Sequence, residues 1–109
     1  MQHREKVILK KFYSEIDVVL RFLEGVTLEN FLSNEILKRA TDMTAINIGE
    51  LTKNLSMKFR ENYPQVAWKD AARFRDVIAH KHETLYMTDV YKTITEDFPE
   101  MKIQIEKNH

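Results

Sequence analysis

The stretch that decides the fold class is "REKVILKKFYSEIDVVLRFLE", Arg4–Glu24. Val7, Ile8, Phe12, Ile16, Val19, Leu20 and Leu23 recur there at spacings of three and four, the apolar stripe of an amphipathic helix. Gly25 comes directly after, where a residue of left-handed conformation would end such a helix. The whole chain holds only two glycines and two prolines, which makes long helices with few breaks the economical architecture.

Beyond Gly25, "VTLENFLS" (26–33) is a connector with room for one short helical turn, and Ser33 or Asn34 can cap the next helix. A second long helix is predicted from Asn34 to Arg60, its stripe formed by Leu37, Thr41, Thr44, Ile48, Leu51 and Leu55. Ile36, Ala40 and Met43 widen that stripe, whereas Asn47, Glu50 and Asn54 continue the neighbouring line with polar groups. Such a polar line is either a solvated edge or a second surface facing another helix or subunit. Gly49, which costs a helix interior about 1 kcal/mol against alanine, points to close backbone approach. Pro64 breaks the pattern, and Trp68, Ala71, Ala72, Ile78 and Ala79 outline a third helix with small residues for tight packing. "TLYMTDVYKTITEDF" predicts a fourth with Leu85, Val90, Tyr91 and Ile94 inward, and Pro99 opens a short final helix, "EMKIQIEK". The expectation is one all-α domain over residues 1–109, an antiparallel bundle of four to five helices.

Lys plus Arg and Asp plus Glu number 17 each, so any nucleic-acid contact must come from a local patch rather than a broad basic surface. The absence of cysteine excludes disulfides, thiolate catalysis and cysteine-built zinc sites, and agrees with a reducing cytoplasm. The opening residues are charged throughout, which fits neither a signal peptide nor a membrane span.

Against that even balance, "RFRDVIAHKH" (Arg73–His82) concentrates chemistry. Asp76 and His80 are four apart, so on a helix they share a face, and the carboxylate could fix the imidazole's tautomer and favour its charged form. Arg75 offers a planar fork of donors suited to phosphate. A histidine that moves protons at a 2′-hydroxyl or a leaving oxygen, with an arginine on the charged phosphorane, is a minimal set for RNA cleavage without metal or cofactor. Arg73, Lys81, His82 and Tyr86 are candidates for RNA contact or regulation. His80 and Glu83 would share a face, but two ligands do not close a metal site, and no metal is expected. Five residues of ideal helix turn by about 500°, leaving Arg75 and His80 roughly 140° apart around the axis. Either the helix is distorted near His80, or the site lies in a crevice between two copies of the chain, where a two-fold axis would pair two arginines with two histidines. An arginine and a histidine five apart are a common chance pairing, so the spacing gains meaning only from its surroundings.

Those surroundings resemble a known family. "RDVIAH" looks like the signature of HEPN domains, and "YPQVAWKDAARFRDVIAHKH" resembles the corresponding part of HepT-like toxins. "LKRATDMTAINIGELTKNLS" is similar to that family's second helix, and "TEDFPEMKIQIE" to its closing acidic–proline–helix pattern. The resemblance implies a HEPN-like bundle, a homodimer with its cleft between subunits, and metal-independent endoribonuclease activity. It further implies a toxin role opposite a minimal nucleotidyltransferase antitoxin. By motif position Arg75 and His80 would be catalytic and Asp76 supporting. One departure stands out: the family's tyrosine after the histidine, which the antitoxin modifies with AMP, is His82 here, and Tyr86 lies four residues further on. The alternative expectation is a non-catalytic helical adaptor or substrate-binding partner of a nucleotidyltransferase.

Overall fold

The computed structural model describes residues 3–64, 66, 68–69, 71–72 and 84–107, with side chains described from 87 onward in the last of these stretches. Among the described residues every regular element is helical: α1 (His3–Phe22), α2 (Leu28–Ser33), α3 (Glu35–Asn54), α4 (Met57–Glu61), α5 (Thr84–Lys92), a π-helical turn (Thr93–Asp97) and α6 (Phe98–Lys107).

The amphipathic stripe of α1 becomes the spine of the core. Phe12, Ile16 and Val19 are fully buried and Ile8, Leu9 and Leu23 nearly so, whereas Val7 falls at the solvent border with 38% of its surface exposed. Gly25 adopts a φ of 74° and ends the helix where the sequence predicts a left-handed residue. The Val26 N–H then bonds the Leu23 carbonyl at 3.0 Å, satisfying one of the helix's terminal acceptors. Asn34 closes α2 and opens α3: its backbone N–H donates to Phe31 O, and its side-chain oxygen accepts from the Leu37 N–H at 3.0 Å.

Two features of α3 differ from expectation. It stops at Asn54 rather than reaching Arg60, because Leu55 and Ser56 are extended and the Ser56 hydroxyl caps a separate helix by accepting from the Phe59 N–H. This jog lets Leu55 and Phe59 both enter the core. The buried stripe also widens on the opposite side from the one predicted. Ile36 and Met43 are 83% and 60% exposed, while Asp42, Ala45, Gly49 and Thr52 are buried. The buried Thr44 and Thr52 hydroxyls donate to the carbonyls four residues back, which is how a helix carries hydroxyls inward without orphaning them. Gly49 lies on the covered side, in keeping with close approach.

Contacts along the helices fix their directions. Glu5 of α1 shares a groove with Ser56 and Phe59, whereas Glu15, ten residues on, meets Asn47 at 3.5 Å, so α1 and α3 run antiparallel. Lys102 of α6 bonds Asp17 at 2.9 Å and lies 5.7 Å from the centre of the Tyr13 ring. Glu106 acts on the Tyr13 phenol, so α6 is antiparallel to α1 as well. Burial, with smaller contributions from Glu106 and Tyr63, pushes that phenol up to about 12.

The last two predicted helices are one continuous helical run from Thr84 to Lys107, and Pro99 does not open a separate element. Proline has no N–H to return to the carbonyl four residues back. The backbone widens ahead of it instead: the Phe98 N–H reaches back five residues to Thr93 O. The widened turn keeps Val90, Ile94, Phe98, Met101 and Ile105 on one buried line. The Tyr91 hydroxyl ties this helix to the first connector by donating to Val26 O at 2.6 Å. The result is an all-α bundle of the HEPN-like kind.

Candidate functional site

Arg73, Arg75, Asp76, His80, Lys81 and His82 lie outside the described residues, as does the side chain of Tyr86. What the structure defines is the framework on either side of them. Upstream, Trp68 is the anchor. Its indole N–H is shared between the carbonyls of Arg60 and Tyr63, at 3.1 Å each, and its ring packs 6.3 Å from Phe12 and 6.2 Å from Phe59. Ala71, one turn on, is fully buried, so the chain leaves this anchor pressed against the bundle. Downstream, α5 begins two residues after His82, and Met87 and Val90 hold it to the core. The segment with the candidate catalytic groups is therefore fastened at both ends by apolar packing.

Met87 also lines a groove of about 230 Å³ with Glu35, Lys38, Arg39 and Asp42 from the first turns of α3. Glu35 pairs with Lys38 at 3.2 Å and with Arg39 at 3.4 Å, while Asp42 is buried. Two cations beside two carboxylates, one of them desolvated, can bind a phosphate at the rim and hold a cationic side chain at the base. Lys38 and Asp42 went unnoticed as site candidates in the sequence, and Arg39 figured only within a family-like Arg–Ala pair. The available signal was an aspartate on the line that also carries Ala45 and Gly49, but its burial follows from the neighbouring helix and not from its spacing.

The polar line of α3 has a definite partner. Asn47 and Glu50 face Lys11, Ser14 and Glu15 of α1 across a shallow groove, with the Asn47 amide donating to Glu15 at 3.5 Å. It is a surface turned toward another helix of the same chain. Among the described residues no group of three or more His, Asp or Glu side chains is placed to hold a metal ion. No described helix is long and apolar enough to cross a membrane.

Comparison with known proteins adds a family. A family model described as "Ribonuclease HepT-like" matches residues 12–108. A protein of Caldanaerobacter subterraneus subsp. tengcongensis, named provisionally as an RNase, is 29% identical over 91% of this chain and 88% of its own length. The "Probable ribonuclease HepT" of Thermococcus cleftensis is 28% identical over 98% of this chain and 97% of its own. A Methanocaldococcus jannaschii protein, also provisionally named an RNase, is 29% identical over 94% of this chain and 88% of its own. No solved structure matches.

Proposed function

This chain belongs to the HepT-like ribonuclease family, and on that premise we propose that it is a metal-independent endoribonuclease acting as the toxin of a pair whose antitoxin is a nucleotidyltransferase. The observation that carries the proposal is positional: the Arg75–His80 signature falls inside residues 12–108, the part of the chain matched to the family. The even charge balance supports a local phosphate site over a broad basic surface.

In the proposed mechanism His80 of one protomer, neutral, removes the proton from a ribose 2′-hydroxyl. The 2′-oxygen attacks the adjacent phosphorus, and the Arg75 guanidinium stabilises the charge of the phosphorane. The bond from phosphorus to the 5′-oxygen breaks, leaving a 2′,3′-cyclic phosphate. The departing oxygen takes its proton from the imidazolium of the partner copy's histidine. Asp76 holds the imidazole in the tautomer that can accept. The roughly 140° between positions 75 and 80 on an ideal helix is the reason for placing the cleft between two copies. A cytoplasmic setting goes with this role, and the whole of residues 1–109 is proposed as one domain.

A second reading has its own observation. His82 stands where the family's modified tyrosine is expected, and an imidazole lacks the phenolic oxygen that would accept AMP. A non-catalytic adaptor bound to a nucleotidyltransferase would not need that oxygen. One experiment separates the two. The purified chain, freed of any partner, is incubated with single-stranded RNA in EDTA. Cleavage to 2′,3′-cyclic phosphate ends, abolished in His80→Ala and Arg75→Ala, is the expected result. An inert wild-type chain that still binds a nucleotidyltransferase would leave the adaptor.

A further inference from the structure

A second groove, of about 700 Å³, opens between the first turn of α1 and the α3–α4 junction, lined by Arg4, Glu5, Ser56, Lys58, Asn62 and Tyr63 over the buried Phe59. At that volume it can hold a small molecule or one unit of a polymer. Its central feature is Glu5, whose side chain is only 7% exposed although it lies in the first turn of its helix. Oε1 is 3.7 Å from the Arg4 guanidinium, an ion-pair distance beyond hydrogen bonding, and Oε2 is buried with no partner among the described residues. A buried carboxylate oxygen without a donor is costly, and the groove it lines is where a donor can be supplied.

The rim narrows what that ligand can be. Arg4 and Lys58 are exposed cations on opposite sides, so the groove repels a bare metal ion or a polyamine, while the buried carboxylate repels a bare anion. The occupant must present N–H donors at one end and negative charge at the other. Nucleotides do this, and the four bases differ at the donor end. Guanine places two adjacent N–H donors, N1–H and the 2-amino group, on one edge, and a carboxylate can accept both. Adenine and cytosine offer one amino group next to a ring nitrogen whose lone pair would oppose the second carboxylate oxygen. Uracil offers one N–H flanked by carbonyls.

We propose that this groove is a guanine-nucleotide site, with Glu5 accepting from the base and Arg4 and Lys58 holding the phosphate. Its source is a guanosine within RNA, which makes the groove a determinant of sequence preference and rests on the ribonuclease function proposed above. Free guanine nucleotide shares the same chemistry, so the test has separate arms. Titration of the full chain with GMP, IMP and AMP, followed by NMR, is expected to give saturable binding in the order GMP, IMP, AMP. Glu5→Gln keeps the shape and removes one acceptor, and should weaken GMP about 10- to 100-fold. Lys58→Ala, on an exposed position that folding tolerates, should weaken GMP but leave guanosine unchanged. In the second arm, oligonucleotides with and without guanosine are compared as substrates, and faster cleavage of the guanosine-containing set places the ligand in RNA. GMP binding with equal cleavage of both sets overturns the RNA source. Equal affinity for GMP and AMP, or an unaltered GMP affinity in Glu5→Gln, overturns the site itself, and both are read without any RNA cleavage.

Discussion

Trp68 carries more of the framework than any other side chain near the candidate catalytic segment, and Trp68→Phe tests that directly. The indole is 94% buried, donates one N–H to two carbonyls, and contacts two other aromatic rings. Phenylalanine keeps a six-membered ring in place but removes the donor and the five-membered portion. The lost hydrogen bond, counted once because one proton is shared, is worth about 1 kcal/mol. Neither carbonyl is orphaned, because Arg60 O still accepts from the Tyr63 N–H and Tyr63 O from the Val66 N–H, both at 3.1 Å. No further desolvation penalty is therefore added. The space left by the smaller ring costs about 1–2 kcal/mol more. The sum, about 2–3 kcal/mol, corresponds to a fall in Tm on the order of 10 °C for a chain of this size. Urea denaturation followed by far-UV circular dichroism at one fixed protein concentration measures it, since the substitution removes the only tryptophan and an oligomer's stability depends on concentration. A loss under about 0.5 kcal/mol would mean that the indole neither fills space nor bonds as described, and the upstream anchor would have to be sought elsewhere.

Asn34→Ala removes the acceptor for the Leu37 N–H and should cost about 1 kcal/mol, whereas Asn34→Asp retains the cap and should cost little; thermal melts of the pair compare them. Tyr13 makes stability depend on alkaline pH. Below the ordinary value of 10.0 both folded and unfolded chains keep the proton; between there and about 12 the unfolded chain releases it and the folded chain does not. Stability contributed by this group therefore falls as pH rises through that window. Tyr13→Phe should flatten that part of the profile, and because the buried hydroxyl has no hydrogen-bond partner among the described residues, it should not lower stability at neutral pH. Denaturation midpoints of wild type and variant, measured below and within the window, would expose an equal slope in both if the phenol is not the cause.

What the sequence determined was whatever depends on near neighbours in the chain. The stripe of α1, the left-handed Gly25 and the Asn34 cap are set within one or two helical turns, and each stands where the residues predict it. The family was legible for a related reason, since its pieces are short motifs in a fixed order and the match spans residues 12–108. Tertiary packing decided the rest. Periodicity locates the middle of a buried stripe but not its edges, which depend on where the next helix lies. Ile36 and Met43 were therefore left in solvent while Asp42 and Thr52 went under cover. Nothing in "HREK" distinguishes Glu5 from the charged residues beside it; it is buried because the antiparallel α3 ends at that level and the α3–α4 jog folds over it. The widened turn before Pro99 has the same origin. Proline forbids one hydrogen bond, and only the pull of the core on both sides of it made the helix widen rather than end.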